Sequence, residues 1–333
     1  MSGQARRLLR GLRTRVVERA VVSGTDDLRK QVADLARSVR ALQETAAGWA
    51  GRQTAEVQAL SARVGELGQD IVRVRQQVRY LSLAEMGREL APDPLDLTPY
   101  EMSFFSQNGE DGVLVEVLRR VGSGTRRFVE IGASHAEANC LFLADVLGWQ
   151  GWFVEAASNE VARLRRKFTG NCNVSIVEAF VDRDNINEVL GSAGATGEMD
   201  VFSLDIDGND YWVWEALEVI HPRIVIVEYN SALDQQRPIA QRYEAASTWD
   251  GTDAFGSSRE AFRELGNRKH YRLVHADIAG VNLVFVREDL CAGRFLPEAE
   301  VAARSTAYFL SGYLHPPSDG TRSFVDPTDP GPD

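Results

Sequence analysis

Apolar positions in this chain change period twice, and the changes divide it. From Leu28 the apolar residues fall at 28, 32, 35, 39, 42, 46 and 49, and a second series runs through Val57, Leu60, Val64, Leu67, Ile71, Val74, Val78 and Leu81. Alternating steps of three and four are the heptad signature of a coiled coil. Trp49 to Val57 through Gln53 adds two consecutive fours, a stutter that locally unwinds a supercoil. At 1.5 Å per residue, residues 28–81 as one helix span roughly 80 Å. Proline is absent from the two series, although Gly48, Gly51, Gly65 and Gly68 weaken helicity. A parallel self-association stalk at residues 28–90 is expected, with dimer and trimer both open. An intramolecular hairpin bent near Gly48 and Gly51 is the alternative. The proline-rich stretch 92–99 (PDPLDLTP) marks a linker over 91–103.

Beyond it the pattern becomes short apolar runs alternating with amphipathic segments. Strands are expected at 127–131, 151–154, 174–181, 201–204 and 224–227, with intervening helices at 139–147, 159–168, 186–190 and 211–219. A helix at 258–265 and an antiparallel hairpin of 271–276 with 281–286 close the domain. Continuous apolar runs suit strands buried on both faces, and five βα units with the terminal antiparallel hairpin predict a seven-stranded sheet with a Rossmann-like α/β core. The domain is expected to fill 104–315. Residues 316–333, rich in proline, glycine and aspartate, are expected to be a disordered tail.

Acidic residues stand where those strands end: Glu130, Glu155, Asp182, Asp205 and Glu228. Open α/β sheets bind ligands outside the carboxyl ends of their strands. SLDIDGND places Asp205, Asp207 and Asp210 within six residues, facing a second strand that ends in Glu228, Tyr229 and Asn230. One of Asp207 and Asp210 as a helix cap would be ordinary. Three aspartates opposite a second acidic strand end suggest chemistry. In FFSQNGEDGVLVEVL, Ser106, Gln107, Asn108, Glu110 and Asp111 exceed what a cap needs, and they are candidates to reach over the same edge.

Composition narrows the classes. The net charge of −11 excludes a general nucleic-acid binder. Cys140, Cys172 and Cys291 lack metal-ligand spacing and are expected to be reduced, in a cytoplasmic protein. No run reaches the eighteen or so apolar residues a membrane span needs. Residues 1–27 open with Arg6, Arg7, Arg10, Arg13, Arg15 and Arg19 among Leu8, Leu9, Leu12, Val16 and Val17. Such a segment is a candidate for peripheral contact with an anionic inner membrane face, or for docking a partner.

FVEIGASHAEANC (128–140), WFVEA (152–156) and SLDIDGND (203–210) resemble motifs of class I S-adenosylmethionine-dependent methyltransferases, within them the FkbM-type O-methyltransferases. The resemblance covers about residues 104–287. It implies a seven-stranded methyltransferase sheet and S-adenosyl-L-methionine as cofactor, held by Gln107, Glu130, Gly132, Ser134, Glu155, Asp182 and Asp205. Glu155 would accept the ribose hydroxyls and Asp182 would lie at the adenine. Gly132 departs from the pattern, standing alone where such turns carry further glycines. Some sugar O-methyltransferases of the superfamily use a divalent ion, which carries over Mg²⁺ to Asp205, Glu228 and Asn230. General-base candidates are Asp207, Asp210 and His135. Aromatic faces at Trp212, Trp214, Tyr229, Tyr243 and Trp249 suit a sugar ring, though Trp212 or Trp214 is expected in the core. The reading is an O-methyltransferase of a sugar hydroxyl in a glycan or glycosylated metabolite. Its alternative is a coiled-coil scaffold whose methyltransferase-like domain has lost turnover.

Overall fold

The structure is a computed structural model that describes residues 93–245, 247–303, 315–318, 320 and 322–328, with seven isolated positions between 30 and 64. The chain divides into two compact units, Met1–Arg79 and Tyr80–Asp333. In the first, Lys30, Asp34, Arg37, Ser38, Leu60, Arg63 and Val64 are helical. The rest of the heptad series and the arginine-rich residues 1–22 lie outside the described residues.

In the second unit, α1 (Glu110–Val121) precedes β1 (Arg127–Ile131), α2 (Leu141–Asp145), β2 (Gln150–Glu155), α3 (Ser158–Lys167) and β3 (Val174–Glu178). Then come α4 (Ile186–Ser192), β4 (Gly197–Leu204), α5 (Asp210–Ala216), β5 (Ile220–Glu228) and the two-residue β6 (Ala240–Gln241). The chain continues through α6 (Arg259–Arg268), β7 (Tyr271–Ala276), β8 (Asn282–Arg287), α7 (Glu298–Ala302) and β9 (Phe324–Val325). Seven strands form one sheet in the order β3-β2-β1-β4-β5-β8-β7. β1 to β5 pair in parallel, and β8 pairs antiparallel with both β5 and β7. This is the seven-stranded Rossmann-like sheet, with its closing antiparallel hairpin, expected from the sequence.

Alternation along the central strands splits the core between two faces. Val129, Ile131, Phe202, Leu204, Val225 and Val227 pack with α4, α5 and α6 on one side. Phe128, Val201, Ile224 and Ile226 pack with α1 and α2 on the other. Trp214 fills the first face, its ring 4.9 Å from Phe285 and 5.9 Å from Tyr271. Trp212 is buried too, and its indole N–H donates to Gln241 O at 2.8 Å, which fixes β6 against α5.

Two expectations are corrected. The third strand stops at Glu178, not at 181, because Asp182 and Asn185 bond each other reciprocally to open α4. The region expected to be a disordered tail instead returns to the domain. β9 pairs antiparallel with β6, and Arg322 bonds Asp250 at 2.9 Å and Gln241 at 3.0 Å. Two residues of strand, one arginine and a few backbone bonds fasten this return, too short a signal to rise above a proline- and glycine-rich composition. Among the described residues no helix is long and apolar enough to cross a membrane.

Candidate active site

Strand order reverses between β1 and β4, and the crevice at such a switch point is where α/β sheets bind ligands. A cavity of about 460 Å³ opens there, reaching from Val154, Glu155 and Phe180 at one end to Asp205, Asp207 and Glu228 at the other. Ser247, Trp249, Phe255, the 280–282 turn and His315 complete its wall.

Gly132 lies where β1 meets this crevice. Its φ is +83°, and a Cβ there would fall 1.6 Å from the Asp205 carbonyl oxygen. A single glycine is therefore demanded by the close approach of β1 to β4, whatever the turn binds. Just before it, Glu130 is buried and accepts the Asn139 and Cys140 N–H groups at 2.7 and 2.8 Å. Burial outweighs those bonds and pushes its carboxyl up to about 7. At the end of β2, Glu155 is half-buried and accepts the Ala157 N–H at 2.7 Å. Burial again raises its pKa, with help from Glu160 and Asp207. Gln107 and Ser134 also line the cavity.

Three carboxylates meet at the other end. Asp205, Asp207 and Glu228 each place an oxygen within 4.8 Å of the others. Asp207 has left-handed backbone, φ +56°, so β4 turns sharply and carries this carboxylate back over the strand end. Burial first, then repulsion from neighbouring carboxylates (Asp207 and Asp210 on Asp205; Asp205, Asp207 and Asp210 on Glu228), holds Asp205 and Glu228 well above the ordinary carboxylate range. Burial also raises Asp207, opposed by the nearby His315. The Glu228 Oε2, Asn209 Oδ1 and Asn282 Oδ1 atoms are buried without a partner among the described residues, and all three residues line the cavity. This end offers acceptors and asks for donors or a cation.

Several expected residues lie elsewhere. Asp210 is fully buried outside the cavity wall and accepts the Ile206 and Gly208 N–H groups, both at 2.9 Å, closing the loop that Asp207 occupies. Burial lifts its pKa to about 6. His135 turns to α3, its Nδ1 2.6 Å from Glu160 Oε2. Asn230 spends its amide on the Asp253 and Phe255 carbonyls and the Ala232 N–H, anchoring residues 231–257. Asp207 takes the place expected for Asn230 in the oxygen cluster. The third-strand wall of the cavity is Ala179–Phe180–Val181, one residue short of Asp182.

The polar loop after the linker is mostly self-satisfied. Asp111 accepts N–H bonds from Phe104, Phe105 and Ser106 at 2.7, 2.6 and 2.9 Å, and Glu110 accepts from Asn108 N–H and Asn282 Nδ2. Only Gln107 of that group reaches the cavity. Conversely, sequence reasoning passed over His315, Asn209 and Asn282. Asn282 carries a legible sign, since it opens β8 directly opposite Glu228 in the ladder. His315 has none, because it arrives from a segment without periodicity.

No family model matches the chain, and no curated protein matches it. Solved structures do. Mitomycin 7-O-methyltransferase MmcR is 18% identical, over 52% of this chain and 53% of its own, with TM-score 0.33. The chain thus spans about half the length of that protein. The N-terminal domain of EvdMO1, solved in the presence of SAH and D-fucose, is 14% identical over 62% of this chain and 95% of its own, TM-score 0.38. Methanococcus jannaschii fibrillarin, a pre-rRNA processing protein, is 14% identical over 55% and 77%, TM-score 0.35.

Proposed function

We propose that the protein is an S-adenosylmethionine-dependent O-methyltransferase acting on a sugar hydroxyl of a glycan or glycosylated metabolite. One observation carries the reading. A single switch-point cavity joins a carboxylate-plus-apolar pocket at β2 and β3 to a three-carboxylate pocket at β4 and β5. The first pocket has the chemistry of a nucleoside site. Glu155 would accept two vicinal ribose hydroxyls, while Val154, Phe180 and Val181 would flank a purine. When bound, the cofactor supplies a methyl group on a positively charged sulfur.

The second pocket faces the acceptor. Asp207 lines it, and its raised pKa makes it a better proton acceptor for an alcohol than an ordinary aspartate. Asp205 and Glu228 would hold the acceptor oxygen in line with the methyl group, which lowers the entropic part of the barrier. Their hard oxygens also fit Mg²⁺, and with Asp207 they would hold it; such an ion lowers the pKa of hydroxyls it binds. Assignment to the FkbM-type subgroup rests on the resemblance of 203–210, and self-association on the heptads of residues 28–90. Membrane contact through residues 1–22 would set where the catalytic unit works.

The test is transfer of a radiolabelled methyl group from S-adenosylmethionine to a panel of glycans and glycosides. The reading expects base-stable label on carbohydrate, reduced at least tenfold in Asp207→Ala. Label on amines or on protein carboxyls alone would overturn it.

A further inference from the structure

Three aromatic rings stand at the outer wall of the cavity, brought there by two segments far apart in the chain. His315 packs 4.9 Å from Trp249 at 81° and 5.6 Å from Phe255 at 85°. Trp249 and Phe255 are 6.3 Å apart at 67°. The three rings make a corner of near-perpendicular faces, and all three residues line the cavity. Phe255 is buried, whereas Trp249 keeps 38% of its surface exposed. Its indole N–H is spent on the Thr252 carbonyl at 2.8 Å, so the ring is fixed and its remaining surface is apolar.

The return that carries His315 is held by other groups: the Asp253 N–H on the Pro316 carbonyl, the Ser318 N–H on Asp253 Oδ1, the β6–β9 pair, and Arg322. The corner looks instead onto acceptors. Asn209 is 3% exposed, and its Nδ2 donates to the Glu244 carbonyl at 2.8 Å, which fixes the amide with Oδ1 lacking a donor among the described residues. The Asp207 carboxylate lines the same cavity and adds a second acceptor. Apolar ring faces beside fixed hydrogen-bond acceptors match a pyranose, which shows C–H groups on its faces and O–H donors around its rim.

We propose that Trp249, Phe255 and His315 form a saccharide-ring subsite, completed by the C-terminal return, in which Asn209 and Asp207 receive ring hydroxyls. The proposal deepens the sugar methyltransferase reading and names the residues that select the acceptor. It follows that the C-terminal return, whose residues 316–318 and 322–328 a compositional reading would discard, helps hold a residue of the binding site in place.

Saturation-transfer NMR with methyl α-D-glucopyranoside and methyl α-L-rhamnopyranoside tests it, on the full chain with and without S-adenosylhomocysteine. Choline serves as a quaternary-ammonium cation that would fill an aromatic corner without a pyranose ring. Transfer onto the ring C–H protons of a glycoside is expected, weakened at least tenfold in affinity by Trp249→Ala and His315→Ala. Arg322→Ala, which removes the bonds from the return to Thr248 and Asp250 on either side of Trp249, should weaken it about threefold or more. Binding of S-adenosylhomocysteine measured on the same samples reports that each variant is folded. Three results would overturn the subsite: no glycoside bound by the wild type, glycoside binding unchanged in the corner variants, or choline displacing the glycoside and binding more tightly. Failure of S-adenosylhomocysteine to bind, with glycoside binding intact, strikes the methyltransferase reading and leaves the subsite standing.

Discussion

Gly132 shows how one residue can look deficient in sequence and be compelled in space. A turn with one glycine lacks the freedom a glycine-rich loop has, yet this glycine sits where β1 and β4 come within contact of each other. Gly132→Ala puts a side chain at φ +83° and against a carbonyl. Strain of the backbone alone costs about 1–3 kcal/mol. A melting temperature lower by about 2–4 °C per kcal/mol is expected by calorimetry. The same scale governs pH. Glu130, Asp205 and Glu228 all have folded pKa values raised by burial, to about 7 for Glu130. A carboxyl raised in the folded state contributes stability that is fully present below its unfolded pKa and lost as pH rises through the folded one. The ligand-free protein should therefore melt at progressively lower temperature as pH rises from about 5 to 8, and Glu228→Gln should flatten that slope. A slope of opposite sign, or one untouched by the substitution, would contradict the crowding of these carboxyls.

At the scale of elements, most of the sheet was legible and most of the loops were not. Continuous apolar runs such as Val201–Leu204 within β4 can satisfy burial on both faces only in a central parallel strand, so pattern alone located β1, β2, β4 and β5. The strand-end acids were visible too, and four of them, Glu130, Glu155, Asp205 and Glu228, line one cavity with Asp207. What pattern could not separate was an acid that meets the cavity from one that ties down its own loop. Asp111, Asp182, Asp210 and Asp277 each satisfy nearby N–H groups, and nothing in their spacing distinguishes them from Asp207. Asp111→Ala removes the acceptor of three N–H bonds, each worth about 1.5–3 kcal/mol when the partner is charged. Amide exchange at residues 104–106 should speed up at least tenfold, with the sheet protected as before. Unchanged exchange there would show that the loop is held by something else.

For the whole molecule, the heptad series lies outside the described residues apart from single helical positions, and its reading stays with the sequence. Two runs with alternating steps of three and four have an apolar seam that one helix cannot bury alone. The full chain is expected to sediment as a dimer or trimer, and replacing Leu35, Leu42, Leu60 and Leu67 by Asp should release monomers that still bind cofactor. A wild-type monomer at micromolar concentration would remove the stalk from the account. The C-terminal return belongs to this scale as well, because β9 and β6 are more than eighty residues apart and join only when the domain closes.

Everything proposed about chemistry depends on a nucleoside cofactor seated between Glu155 and the β3 wall. Calorimetric titration of the protein with S-adenosylmethionine and S-adenosylhomocysteine measures this directly. Micromolar binding of both is expected, at a ratio of one per chain, weakened at least tenfold in Glu155→Ala because that carboxylate alone offers two acceptors to the ribose. No binding by folded protein, or equal binding by the Glu155→Ala variant, would contradict the account.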